Sequence, residues 1–234
     1  MAQRQRTEDS RHDQAESAAE RIKDAALKLF SARGIDGVTV RQIVAEAGAR
    51  NNASLHYYFG SKDALVRALI LECAHLSDSA RIRRLDEIEA AGGPREVAEI
   101  IRLIVEVETT PRGVGSGGAM GASSGHMRFV MGLQINNRRV FMQALTGHRN
   151  SGYLRCIDHI YRLLPGIPKS VLNQRLIFMD LFMGSTLAAR EAAFEQDPTG
   201  GKLWSSELAI ENLIISACGI LTAGPITAPP EVQW

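Results

Sequence analysis

The chain has 234 residues, of which 45% are apolar and 23% are charged, so it can bury a sizeable core and has an ordinary globular composition. The formal net charge of +1 gives no overall attraction to nucleic acid, so any DNA binding has to come from a local surface. The three cysteines Cys73, Cys156 and Cys218 are far apart and odd in number, which favours neither a disulfide framework nor a zinc site, and we expect no metal and no cofactor.

The first 17 residues, MAQRQRTEDSRHDQAES, are charged and carry almost nothing apolar. Such a composition cannot offset the entropy of ordering, so residues 1–17 are expected to form a disordered arm. They also lack the apolar segment of a signal peptide, and no later run approaches the roughly 18 uninterrupted apolar residues that a membrane span requires. We therefore expect a cytoplasmic protein.

Helical periodicity begins at Ile22 and ends at Gly34, and the apolar residues lie on one stripe: Ile22, Ala25, Ala26, Leu29 and Phe30. A second helix is predicted to follow Thr39, because Thr39 and Gln42 form a T-x-x-Q capping box. Val38 and Ile43 occupy the positions of a hydrophobic staple around it. Gly48 is placed to end this helix in the left-handed conformation.

A third short helix is predicted over Ala53–Phe59, with Asn51 or Asn52 as its cap and Gly60 at its end. Ser61 caps a much longer fourth helix that begins at Lys62 and continues toward Gly92-Gly93-Pro94. Two short helices joined by a tight turn and packed on a preceding helix form the helix-turn-helix pattern, whose second helix lies in the DNA major groove. Leu55 and Phe59 would cover the inner side of that helix.

The residues AALKLFSARGIDGVTVRQIVAEAG, followed by YYFGSKDALV, resemble the DNA-binding domain of the TetR family of bacterial transcriptional regulators. The resemblance runs from about Glu20 to Leu71 and covers less than a quarter of the chain. It implies that the helix after Thr39 touches the DNA backbone through its N-terminus and that Arg41 reaches a base edge or a phosphate. It also implies that polar residues of the third helix face the groove and that Lys62 meets a phosphate.

The predicted DNA-binding residues are Thr39, Arg41, Arg50, Asn51, Asn52, Ser54, His56, Tyr57, Tyr58 and Lys62. Two departures from the family pattern concern this set: His56 stands where the family usually has tyrosine, and the turn carries one additional residue, assigned to Arg50. The alternative for Tyr57 and Tyr58 is packing under the fourth helix, and for Arg41 and Lys62 it is a solvated face.

Further helical stripes continue to about Leu221 and no strand alternation is found, so we predict an all-α fold. The predicted division is a helix-turn-helix DNA-binding domain over 18–66 and a larger helical effector-binding and dimerisation domain over 67–234. The resemblance implies a homodimer in which the last two long helices, 170–195 and 204–223, form a four-helix bundle. An intramolecular core explains their apolar residues equally well, including Leu172, Leu176, Met179, Met183 and the small Gly184.

The resemblance also implies a chamber for a small-molecule effector between the head and those two helices. The predicted ligand-binding residues are Met127, Arg128, Met131, Phe141, Met142 and Phe182, with ordinary core filling as the alternative for each methionine. From Thr109 to Ile157 there is no Asp or Glu, although arginines occur at 112, 128, 138, 139, 149 and 155. Arginines in a chamber would favour an anionic effector, and surface arginines neutralised by acidic helices are the alternative.

An enzyme is not indicated. Gly113 to Gly118 formally match G-x-G-x-x-G, but a helix precedes them and no acidic residue occurs before Asp158, so a dinucleotide site is excluded. The sequence therefore predicts a transcriptional regulator, most simply a repressor that releases its DNA operator when a hydrophobic or anionic effector binds. The alternative is a helical protein-interaction module whose head has lost DNA binding.

Overall fold

The computed structural model describes residues 2–49, 51, 53–109, 125–148, 150–206 and 208–225, with side chains from Ala18 onward, and within these ranges it contains helices and no strand. This confirms the all-α fold. The helices are α1 (Ala2–Arg33), α2 (Val40–Glu46), α3 (Ala53–Phe59), α4 (Lys62–Ala90), α5 (Val97–Thr109), α6 (His126–Asn136), α7 (Arg138–Leu145), α8 (Ser151–Leu163), α9 (Lys169–Gln196), α10 (Gly201–Trp204) and α11 (Leu208–Thr222).

Helix α1 begins at Ala2 and so includes residues 2–17, where the composition predicted a disordered arm. The run from Ala2 to Arg33 contains no glycine or proline and is rich in Ala, Gln, Arg and Glu, which have good helix propensity. Once the apolar stripe from Ile22 onward is packed, the helix is already nucleated, and each added residue gains one backbone hydrogen bond. An apolar face is therefore not needed for the extension.

The N-terminal helices form as the local signals predict. Thr39 caps α2 with a reciprocal pair of hydrogen bonds: the Gln42 amide donates to Thr39 Oγ1 at 3.3 Å, and the Thr39 amide donates to Gln42 Oε1 at 2.8 Å. Val38 and Ile43, the staple pair, are both buried. Ser61 caps α4 by accepting from the Ala64 amide at 3.1 Å. The cap of α3 stays a prediction, since Asn52 lies outside the described residues.

The core of the head extends beyond the first four helices. Phe129 and Leu133 of α6 and Ala144 of α7 are buried in the same apolar cluster as Phe30 and Leu65. The rings of Phe30 and Phe129 stack with their centroids 6.1 Å apart. The domain limits 18–66 and 67–234 stay a prediction. Residues from both sides of this limit are buried together in the core of the head.

A second core fills the rest of the molecule, between the C-terminal half of α4 and helices α5, α6, α8, α9 and α11. Leu172, Leu176, Met179 and Met183 are buried in this core of the single chain. Gly184 also faces inward, because a Cβ added there would lie 2.4 Å from Met131 Sδ. For these five residues the intramolecular alternative holds, and any dimer contact has to come from other residues.

Backbone groups at three helix ends are satisfied by a charged side chain of another helix. At the start of α8, buried Asp78 of α4 accepts the Gly152 and Tyr153 amides through Oδ1 at 2.8 and 3.1 Å. At the start of α6, Glu191 of α9 accepts the Met127 and Arg128 amides, both at 3.0 Å.

At the end of α11, buried Arg175 donates to the carbonyls of Leu221 and Gly224 at 2.9 and 2.7 Å. Carboxylates at helix N-termini and guanidinium groups at C-termini match the helix dipole as well as the unpaired backbone groups. Gly152 is needed at its position, since a Cβ there would lie 2.9 Å from the Asp78 carbonyl oxygen.

Replacing Asp78 with alanine should lower the free energy of unfolding by about 1–3 kcal/mol, because two amides at the start of α8 lose their buried acceptor. Urea unfolding followed by circular dichroism measures the change. Asp158→Ala, which removes an exposed acid of α8, is the matched control and should stay within about 0.5 kcal/mol of wild type. Equal effects of the two substitutions would contradict the capping role.

Candidate nucleic-acid interface and central cavity

The outer side of α3 presents Tyr57 to solvent with 80% of its surface exposed. Its ring meets that of Tyr58 edge to face, with the centroids 4.9 Å apart. Tyr58 itself is half-buried against the head core, as is Phe59, and Leu55 is fully buried beneath them. The predicted inner side of the helix is therefore observed, and of the two tyrosines Tyr57 is the one that is free to touch a partner.

Further predicted residues lie exposed at the start of α2 and along α3: Thr39, Arg41, Asn51 and His56. Ser54 is half-buried, and Arg50 and Asn52 lie outside the described residues. His56 is held by a hydrogen bond of 2.8 Å between its Nδ1 and the Gly60 carbonyl at the end of α3. Because a carbonyl only accepts, Nδ1 is the donor there, which leaves Nε2 to face a partner.

Lys62 has a structural contact that the sequence did not predict. Its Nζ donates to the Val38 carbonyl at 2.7 Å, and the side chain is partly buried. This bond joins the first residue of α4 to the segment that enters α2. A phosphate contact for Lys62 stays a prediction, and it would have to use the remaining N–H groups of the ammonium.

A central cavity of about 290 Å³ lies among α4, α5, α6, α7, α8 and α9. Its apolar walls include Ile70, Cys73, Ala74, Ile104, Val105, Met127, Val130, Met131, Phe141, Leu145, Met183 and Leu187. Its polar groups are Ser77, Arg81, Glu108, His126, Gln134, His148, Asn150, Tyr153 and Asp180. The volume and the mainly apolar lining suit a small organic molecule.

Of the six predicted ligand residues, Met127, Met131 and Phe141 line this cavity and three do not. Arg128 points elsewhere and pairs with Glu195 of α9. Met142 is 50% exposed on the outer side of α7, and Phe182 packs against the second core. Helical periodicity places a residue on a face, and these three lie on faces turned away from the cavity.

The sequence prediction missed the charged groups of the cavity. Arg81 of α4 pairs with Glu108 of α5 at 2.6 Å, and its guanidinium carbon lies 5.6 Å from the centre of the Tyr153 ring. The Tyr153 hydroxyl donates to Asp180 Oδ2. Burial raises the pKa of Asp180, although the Tyr153 hydrogen bond and the Arg81 charge oppose that shift. One signal was available: Asp180 interrupts the otherwise apolar run Leu176–Met183.

The arginines of the acid-free segment that the structure describes do not line the cavity. Arg155 pairs with Asp86 at 2.8 Å and with Glu89 at 2.7 Å on the surface, and Arg128 pairs with Glu195. Arg138 and Arg139 are exposed on α7, whereas Arg112 and Arg149 lie outside the described residues. Of these four arginines only Arg128 and Arg155 have acidic partners in the structure, and none of the four lines the cavity, so they give no reason to expect an anionic effector.

Two further sequence-based expectations concern absences. Within the described ranges, no three side chains of His, Cys, Asp or Glu are grouped so that they could hold a metal ion. None of the described helices is long and apolar enough to cross a membrane.

A capped second helix, a short third helix with an exposed polar edge, and a supporting first helix define the head as a helix-turn-helix unit. Residues 22–69 match the family model described as bacterial regulatory proteins, tetR family. The predicted resemblance to the TetR family is thereby confirmed for the head of this chain.

Two relatives, from two strains of Mycobacterium tuberculosis, are each named an uncharacterized HTH-type transcriptional regulator. Each is 31% identical to this chain over 131 residues, which are 56% of this chain and 60% of the relative. The match thus spans less than two thirds of the relatives' length. Their names agree with the expectation that this chain is not an enzyme.

A crystal structure assigned to the tetR family of transcription regulators, from Shewanella sp. PV-4, covers 86% of this chain and 96% of its own. The sequence identity is 17% and the TM-score is 0.48.

Replacing Lys62 with methionine should lower the free energy of unfolding by roughly 1 kcal/mol, because the Val38 carbonyl loses a charged donor while the aliphatic stem is kept. Urea unfolding measures this change. Lys202→Met, at an exposed position of α10, is the control. A Lys62 variant as stable as wild type would show that the ammonium does not hold α4 to the segment before α2.

Proposed function

We propose that the protein is a ligand-responsive transcriptional regulator that binds a double-stranded DNA operator as a homodimer and acts as a repressor. The observation that carries this proposal is the exposed polar edge of α3, centred on Tyr57, beside the exposed N-terminal turn of α2. Both belong to a head that matches a family of bacterial regulatory proteins.

The geometry of the head supports a division of roles on DNA. Amides at the start of a helix attract phosphates, and Arg41 in the first turn of α2 is exposed and able to bind guanine bidentately. Tyr57 and His56 offer hydrogen-bonding groups from α3. The half-buried Tyr58 supports the ring of Tyr57 and contributes less contact area of its own.

An apolar face of α9 and α11 supports the homodimer. Ile177, Phe178 and Leu181 of α9 are exposed, as is Ile215 of α11, which packs beside α9. The exposed small residues Ser185 and Ala189 continue the same face of α9. Large apolar side chains in such a contiguous group are typical of an interface, and a symmetric pair of chains would place two heads on one operator.

Helix α6 supports a route from the cavity to the head. Met127 and Met131 line the cavity, while Phe129 and Leu133, on another face of α6, are buried in the core of the head. An effector that displaces α6 would therefore also displace the ring that stacks on Phe30. Such an effector releases DNA only if its affinity is higher for the arrangement that cannot bind DNA than for the arrangement that can.

Selection of bound duplexes from a random DNA library with the full-length protein tests the regulator proposal. The expected product is a two-fold symmetric sequence whose half-sites are about one helical turn apart, roughly 34–36 Å. Failure to enrich any sequence would favour the protein-interaction module, and enrichment of a single unrepeated site would contradict the homodimer.

Arg41→Ala should relax sequence preference at one base pair per half-site and cost on the order of 1–3 kcal/mol there, because a bidentate base contact is lost. Fluorescence anisotropy with the selected operator and single-base variants of it measures this preference. Arg95→Ala, at an exposed position just before α5, is the control for loss of one positive charge. A uniform loss over all sequences would assign Arg41 to a phosphate instead.

Phe178→Asp should convert the dimer to a monomer at micromolar concentration, because it buries a charge in the apolar contact. Light scattering after size exclusion measures the mass. Leu154→Asp makes the same change at an exposed apolar residue of α8 and should leave the dimer intact. If the two variants have the same mass, the face that contains Phe178 is not the interface.

A further inference from the structure

Carboxyl groups outnumber guanidinium groups in the described lining of the central cavity, which also contains His126 and His148. Its described lining contains one guanidinium, Arg81, and two carboxyl groups, Glu108 and Asp180. Arg81 is hydrogen-bonded to Glu108 at 2.6 Å, so this pair compensates itself. Asp180 receives one hydrogen bond from the neutral Tyr153 hydroxyl, and its Oδ1 makes no hydrogen bond with another described residue.

We propose that the cavity binds an apolar molecule carrying a single protonated amine, and that Asp180 pairs with the ammonium. This inference rests on the proposed function in taking the cavity to be the effector site. Apolar walls such as Ile104, Met127, Met131 and Leu187 would hold the rest of the molecule.

The alternatives are weaker on electrostatic grounds. A carboxylate or phosphate placed in the cavity would lie near two carboxyl groups, and the guanidinium that could receive it is engaged by Glu108. A neutral molecule would leave Asp180 with only the charge of Arg81, which is shared with Glu108, to compensate its carboxylate, and would itself gain no charge attraction. An ammonium supplies the missing charge and a donor for Oδ1.

Pairing with Asp180 makes the affinity for the amine fall as the pH is lowered. Burial raises the pKa of Asp180, so the carboxylate that attracts the amine is lost as the pH falls. The other titratable or charged groups that face this space are Arg81 of α4, Glu108 of α5, His126 of α6, His148 after α7 and Tyr153 of α8. Because these groups face the same space, the Asp180 variant is needed to separate the contribution of Asp180 from theirs.

Calorimetry with three matched probes, 4-phenylbutylamine, 4-phenylbutanol and 4-phenylbutyrate, tests the inference on the full-length protein. The amine is expected to bind about tenfold or more tightly than the carboxylate at neutral pH, with an affinity that falls as the pH is lowered. Asp180→Asn should reduce the affinity for the amine about tenfold, leave that for the alcohol unchanged and weaken the pH dependence. Asp158→Asn, at an exposed acid of α8, is the matched control.

The pairing is overturned if the carboxylate binds as tightly as the amine, if Asp180→Asn leaves binding of the amine unchanged, or if none of the probes binds. Should Asp180→Asn fail to fold, the order of the three affinities and the pH profile of wild type decide the question. Anisotropy with the selected operator separates this inference from the proposed function. Binding of the amine without release of DNA supports the pairing and contradicts repressor control, whereas release by the alcohol alone contradicts the pairing and supports repressor control.

Discussion

The constraint on which the body of this protein depends is that a buried helix end needs partners for its free backbone groups. Helix α6 begins among buried residues, α8 begins next to the buried Gly152 and α11 ends next to the buried Leu221, and no N-cap side chain of α6 or α8 makes a capping hydrogen bond. Glu191, Asp78 and Arg175 close them from neighbouring helices. Because each cap holds one helix end against the side of another helix, these contacts fix the positions of α6 and α8. Both helices, together with α4, form part of the wall of the cavity.

In the head, free backbone groups at helix ends are also satisfied by capping side chains, but these come from residues nearby in the sequence. Thr39 and Ser61 cap α2 and α4 from within their own segments, and Lys62 binds the carbonyl that precedes the first of these caps. The two halves meet at α6, whose residues contribute both to the cavity and to the core under α3. Helix α6 therefore lies between the head that carries the proposed DNA-binding edge and a ligand-sized cavity, an arrangement that is consistent with the proposed regulator controlled by an effector.

The parts that could be predicted from the sequence are those fixed by neighbouring residues. The capping box at Thr39 and Gln42, the break at Gly60 and the start of α4 at Lys62 are local, and all of them are found. Only some of the residues that line the cavity could be predicted. Periodicity places Met127 and Met131 on one face of α6, but it does not say which helices that face contacts. The contacts of Asp78, Glu191 and Asp180 join residues of different helices far apart in the chain, and no local pattern encodes them.

Helix α6 contributes residues both to the cavity and to the core of the head, and this limits how substitutions could change the ligand preference of such a protein. A bulkier or smaller side chain at Met127 or Met131 would alter the fit of a ligand, but the resulting shift of the helix would reach Phe129 and disturb the support of the DNA-contacting surface. Ile104 and Val105 of α5 also line the cavity and are buried in a core separate from that of the head. Adaptation to new small molecules should therefore accumulate first on α5, where a change carries less cost for operator recognition.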